Sequence, residues 1–109
     1  MANSPNTQPI TIDTDTTSWF SLQTLQTQRF GLRVWKIALV ATASTTAGTV
    51  TVTEPNSGIA LLAPMVVPSA SAVGTVLFTD NPTQLLQWRD FAVTGATATG
   101  TRLFVWYRV

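Results

Sequence analysis

From residue 32 onward, apolar residues come in short runs, several alternating with threonine, and the runs are separated by Pro, Gly, Asn and Asp. That is the pattern of strands and turns, not of amphipathic helices. The stretch 32–41 is β-branched and aromatic, bounded by Gly31 and the small-residue run 42–48, and reads as a central strand. Period two puts Trp35, Ile37 and Leu39 on one face and Leu32, Val34, Lys36, Ala38 and Val40 on the other. Both faces are largely apolar, so one is expected to meet the core and the other a neighbour. Thr49-Val-Thr-Val-Thr53 alternates strictly and points Val50 and Val52 inward. Glu54-Pro-Asn-Ser-Gly58 carries turn chemistry, so residues 59–63 are expected to return antiparallel as the second arm of a hairpin. Met65-Val-Val67 sits between Pro64 and Pro68 and reads as an edge or crossing segment, because proline cannot donate to a central ladder.

Further strands are expected over 19–25, with Phe20, Leu22 and Leu25 inward, over 75–79, over 85–89 running on into 91–94, and over 101–109. The loop 95–100 is read as a loop, and no helix of useful length is expected. About seven or eight short strands with turn signals every 8–12 residues or so predict an all-β fold, an antiparallel β-sandwich of jelly-roll-like type.

Ahead of this lies a polar stretch with few apolar side chains besides Ile10 and Ile12. It cannot fold alone. The chain therefore divides into an extended N-terminal arm, residues 1–18, and a single sandwich domain, residues 19–109. Alternation of Ile10 and Ile12 with Thr11 and Asp13 suits a short strand added to a sheet edge, of this chain or of another. A frayed terminus and a docking arm that orders on assembly are the competing readings. In the last strand, period two separates Leu103, Val105, Tyr107 and Val109 from Arg102, Phe104, Trp106 and Arg108. If the first set fills the core, the second leaves aromatic rings flanked by guanidinium groups, a composition enriched in interface hot spots. The alternative puts Phe104 and Trp106 in the core with the arginines reaching out past them.

Composition narrows the function. Only 10% of the 109 residues are charged, against 45% hydrophobic, and the net charge is +1. Arg29, Arg33, Lys36, Arg89, Arg102 and Arg108 are scattered along the sequence, so no basic stripe is expected to attract nucleic acid. Sparse charge on a hydrophobic chain suggests surface covered by partners, including other copies of itself. With no histidine and no cysteine, the usual general base and the thiolate nucleophile are missing, and no enzymatic activity is expected. Lys36 reads as a charge that interrupts a sticky strand, or as an interface contact. Asp13 and Asp15 share a face of an extended segment, but calcium wants six to eight oxygens; solvated loop carboxylates are the simpler reading, and neither metal nor cofactor is expected. The apolar run 32–43 is short and interrupted by Arg33 and Lys36, so no membrane span is expected. The opening residues lack the basic and apolar regions of a secretory leader, which suggests cytoplasmic synthesis. Trp88-Arg-Asp90 is the local candidate for sugar stacking, weighed against an ordinary core Trp.

Residues 32–109 resemble small structural proteins of tailed bacteriophages, of the head decoration or cement type. The resemblance rests on Leu32-Arg-Val-Trp-Lys-Ile-Ala-Leu-Val, the small turn Thr45-Thr-Ala-Gly48, the hairpin segment from Thr49 to Gly58, and Ala60-Leu-Leu62. A Val-Pro-Ser-Ala loop, Phe91-Ala-Val-Thr-Gly-Ala and the closing Leu103-Phe-Val-Trp-Tyr107 complete it. It implies a sandwich that oligomerises, often as a homotrimer, on the capsid surface of a virion and reinforces it by bridging copies of the major capsid protein. The polar arm and high Trp content depart from that pattern and leave room for a tail or vertex adaptor, or for a receptor- or glycan-binding module. The residues expected to make contacts are Ile10 and Ile12 in the arm, Lys36 on the central strand, and Arg102, Phe104, Trp106 and Arg108 on the last.

Overall fold

The computed structural model describes residues 3, 4, 7–19, 32–82 and 86–108. In chain order these form β1 (Ile10–Ile12), β2 (Leu32–Ala41), β3 (Gly48–Thr53), β4 (Met65–Val67) and β5 (Val76–Asp80). Then come β6 (Leu86–Trp88), β7 (Ala92–Thr94), the one-turn helix α1 (Ala96–Thr99) and β8 (Thr101–Arg108). All pairings between these strands are antiparallel. β1, β8, β2 and β5 lie side by side in a larger sheet, with β6 pairing β2 beyond β5; β4, β3 and β7 form a smaller sheet. Residues 16–19 run along β7: Thr16 and Val93 exchange N–H···O bonds of 3.1 and 2.9 Å, and the Trp19 N–H donates to the Phe91 carbonyl at 2.8 Å. If 16–19 is the second of eight strand positions, and β5 with β6 is one interrupted position, the sheets run 1-8-3-6 and 2-7-4-5. That order matches a jelly roll, and the protein is an antiparallel β-sandwich.

The core lies between the sheets. Val50 and Val52 point inward from the alternating β3, opposed by Ile37, Leu39, Leu103 and Val105 from the larger sheet, all fully buried. At one end Trp19 stacks on Phe91 with centroids 5.8 Å apart, and Trp88 leans on Phe91 at 5.4 Å. The run 85–94 is not one strand: it changes sheets at Asp90, whose carboxylate accepts the Phe91 N–H and the Ser18 hydroxyl.

Two local expectations are corrected. Residues 59–61 do return antiparallel beside the end of β3, through the Ala60–Thr53 bridge and the bonds from the Glu54 N–H to the Ile59 carbonyl and from the Leu61 N–H to the Val52 carbonyl, both 2.8 Å, but the pairing does not run on as a strand over 59–63, and the strand that pairs with the start of β3 is β4. Ile-Ala-Leu-Leu-Ala has no alternation to present one buried face, whereas Met65 and Val67 are buried around an exposed Val66. β4 is an edge, as its flanking prolines require. The loop 95–100 contains α1, closed by two glycines in the left-handed region. At Gly95 (φ 98°) a Cβ would lie 2.1 Å from the Thr49 carbonyl oxygen, so this position needs both the conformation and the missing side chain. Of the expected strand 19–25 only Trp19 is described, and it is helical and not extended; the rest lies outside the described residues.

The N-terminal segment is also not an arm set apart from the domain at residue 18. β1 pairs with β8, matching Ile10 to Val105 and Ile12 to Leu103, and both isoleucines are fully buried. The Gln8 side-chain amide extends that ladder by bonding both the N–H and the C=O of Tyr107. Asn3 Oδ1 accepts the Asp13 and Thr14 N–H groups at 2.9 Å. The Asp15 carboxylate accepts the N–H groups of Gly95 and Thr97 at 3.0 Å each, capping α1 from a remote part of the chain. The segment thus crosses from the larger sheet to the smaller. Ile10 and Ile12 belong to the core and not to a docking surface, because burial of each side chain is worth roughly 1.5–3 kcal/mol and the sheet edge beside β8 is available within the chain.

Ile12→Ala is expected to cost about 2–5 kcal/mol, and deletion of residues 1–18 to abolish cooperative unfolding, both read from urea denaturation. Gly95→Ala should lose at least about 2 kcal/mol in the same assay, because the backbone conformation and the contact with Thr49 act together.

Candidate functional site

The face of the larger sheet turned away from the core holds the residues that the core does not use. Its layout depends on one irregularity. Val34 pairs with Tyr107, but the next pairing is Lys36 with Trp106, so Trp35 is an extra residue in β2. Such a bulge reverses the parity of every residue beyond it. Val34 therefore shares the inner face with Ile37, Leu39 and Ala41, and all four are buried. Trp35, which strict alternation places on one face with Ile37 and Leu39, is instead half-exposed.

On β8 the simple alternation holds. Leu103 and Val105 are fully buried, while Arg102, Phe104 and Trp106 are half-exposed and Arg108 is exposed. The core takes Leu103 and Val105, with Tyr107 packed against it, and Phe104 and Trp106 lie outside it. Their rings stack at 5.9 Å with 27° between planes, and Trp35 leans toward Trp106 at 6.4 Å. The Lys36 ammonium stands 4.8 Å from the Trp106 ring centre, a cation–π contact worth about 0.5–1 kcal/mol at an exposed site. Beside the rings is an open groove of about 510 Å³ lined by Lys36, Ala38, Val40, Val76, Phe104 and Trp106, with Pro9 and Thr79 at the same site. No protein-family model matches the chain, and neither a curated protein nor a solved structure shows significant similarity to it. Its geometry has to carry the functional reading.

The expected contact residues separate into three groups. Lys36, Phe104 and Trp106 come together on the groove. Arg102 shares their face but bonds the Asp13 carboxylate at 3.0 Å, with Asp13 almost wholly buried, so this arginine joins β8 to the segment after β1. Arg108 lies at the opposite end of β8, directly across from Arg33. Ile10 and Ile12 are in the core. Trp35, Arg33 and Val76 were not among the expected residues: a bulge leaves no period-two signal, and Val76 reaches the groove only through the pairing of β5 with β2.

The chemistry of the face is contact chemistry. Asp13 and Asp15, weighed as calcium ligands, hold Arg102 and the α1 turn, and among the described residues no three potential metal ligands of the His, Cys, Asp and Glu type converge. Glu54 caps its own turn by accepting the Ser57 hydroxyl and the N–H groups of Asn56 and Ser57, which lower its pKa. Trp88, the candidate for sugar stacking, is 4% exposed and packs in the core.

Trp106→Ala is expected to leave a cooperatively folded protein destabilised by no more than about 2 kcal/mol, whereas Trp19→Ala should cost about 3–5 kcal/mol. Parallel urea titrations followed by circular dichroism separate the two, and a collapse of Trp106→Ala would return that ring to the core.

Proposed function

We propose that this chain is a non-enzymatic structural protein of a tailed-bacteriophage virion. In this reading it decorates the capsid and stabilises it by bridging neighbouring subunits, docking through the outer face of its larger sheet onto the major capsid protein. The observation that carries the reading is a half-exposed cluster of Trp35, Phe104 and Trp106 beside an apolar groove, on a sheet whose other face already holds a full core. Aromatic and arginine residues are the usual anchors of protein interfaces. A stiff sandwich presents them with little ordering cost, and repetition over a lattice multiplies weak contacts through avidity. The resemblance of residues 32–109 to head decoration proteins supports the same assignment, and the jelly-roll strand order is compatible with it, although that fold also serves lectins and cupins.

The N-terminal segment has a different part in this proposal from that of a wrapping arm. It completes the sandwich, and the docking energy comes from the sheet face. The glycan-binding alternative is weakened because the groove residues include no carboxylate or amide side chain to hold sugar hydroxyls. A tail or vertex adaptor would use the same face at a different place on the particle.

Imaging of the virions that contain this chain tests the assignment. Repeated density over the capsid lattice, with β2 and β8 against the shell, is the expected result. Density confined to a tail tip or vertex would transfer the assignment to an adaptor, and the absence of the chain from particles would end it. In a rebinding assay with shells stripped of the protein, Trp106→Ala should bind at least tenfold more weakly than wild type.

A further inference from the structure

The two sheets of the sandwich are dressed differently on their outer faces. On β3 the outward positions are Thr49, Thr51 and Thr53, and Thr94 of β7 is paired with Thr51 beside them. On β2 and β5 the outward positions include Ala38, Val40 and Val76, although threonine would suit a solvated strand equally well. Register shapes these side chains into a trough. Ala38 is opposed by Phe104 on one side and by Thr79 on the other, so a small residue forms the floor between taller neighbours, and it is only 6% exposed despite facing outward. The trough follows β2 from Lys36, opposite Trp106, to Val40, opposite Val76. At roughly 3.3 Å per residue these four steps span about 13 Å.

Size, charge and backbone together define what such a trough holds. Its volume of about 510 Å³ lies in the range of small-ligand sites, about 300–1,000 Å³. Among the described residues Lys36 is the one charged side chain of the lining, and its ammonium stands over the Trp106 ring, which holds it at one end. Arg102 lies opposite Val40 at the other end, but its charge is met by Asp13. The trough is therefore cationic at one end and apolar along the rest. The backbone beneath it offers nothing to a ligand: β8 pairs with β1 and β2, and β2 with β8 and β5, so the N–H and C=O groups of these strands point sideways into ladders. A peptide laid in the trough would leave its own amides without partners over an apolar floor, whereas a hydrocarbon chain has none to lose. A single apolar side chain from a partner would fill only part of the length.

We infer that this trough is a binding site for an elongated amphiphilic monoanion, a free acyl carboxylate of medium chain length, with its carboxylate at Lys36 and its chain over Ala38 between the Phe104 ring and Val76. Apolar contact along the chain supplies the affinity, and the lysine sets the sign of the charge and the direction of the ligand. The inference goes beyond the capsid role and does not depend on it, because the site is complete within one chain.

Isothermal titration calorimetry of the full chain tests the inference with sodium decanoate, sodium hexanoate and decyltrimethylammonium, each below its micellar concentration. Decanoate should bind at one site per chain and at least tenfold more tightly than either of the others, since hexanoate lacks four methylenes of contact and the ammonium opposes Lys36. Lys36→Met should bring decanoate and decyltrimethylammonium to within about threefold of each other. Ala38→Leu, which fills the floor, should weaken decanoate at least tenfold. Val76→Thr keeps the shape and strand preference of an exposed position, so it should weaken decanoate about threefold with Tm changed by less than about 2 °C. Absence of saturable decanoate binding overturns the inference, as does equal binding of the cationic amphiphile, or decanoate binding unchanged in both Ala38→Leu and Val76→Thr. A ten-residue leucine–glycine peptide with a free C-terminal carboxylate that binds as tightly as decanoate would overturn it in favour of a protein segment. Sedimentation with phosphatidylglycerol vesicles without binding of free decanoate would overturn it in favour of a membrane surface.

Discussion

The ladder between β2 and β8 is the constraint on which the rest of the molecule depends. Among the described residues these are the two longest strands, they occupy the middle of the larger sheet, and every other described strand of that sheet is placed by pairing with one of them. The extra residue at Trp35 decides what this ladder displays. Without it, the parity that buries Ile37 and Leu39 would bury Trp35 and expose Val34. With it, a buried valine and an outward-facing aromatic cluster coexist on one strand, and the core and the contact face are specified together.

The N-terminal segment closes what that ladder leaves open. β1 covers the free edge of β8, and residues 16–19 run beside β7 in the other sheet. The crossing between them is held by polar bonds that a short chain with few charges uses economically: Asp13 with Arg102, Asn3 with the backbone of Asp13 and Thr14, and Asp15 with the α1 turn. The buried Asp13 carboxylate next to two buried isoleucines makes this segment part of the cooperative unit. Its polarity reflects that it forms a border of the sandwich, where side chains alternate between core and water.

The same economy shapes the surface. The acids mostly organise turns and crossings, while Arg33 and Arg108 stand opposite each other at one end of the larger sheet, both exposed. Beside them the rings of Trp35, Phe104 and Trp106 and the aliphatic groove form a surface that water solvates poorly. Both features point outward from a stiff scaffold, which is the arrangement expected of a module that works by contact.

Alternation and turn chemistry were enough to determine the class of fold: β3, the edge character of β4, the central position of β2 and the two faces of β8 were all legible, because each depends on neighbours along the chain. The scattered cations, the polar N-terminus and the position of Trp35 were not. Whether Ile10 and Ile12 bury within this chain depends on the free edge of β8, which lies more than ninety residues away in sequence. The approach of Arg33 to Arg108 depends on strand order and register, and the exposure of Trp35 on a bulge that leaves no trace in a period-two count. Local sequence determined which segments are strands and which side of most of them is apolar. The tertiary structure alone decided which apolar side found a partner inside the molecule, because burial and charge proximity belong to pairings between distant segments and not to any segment by itself.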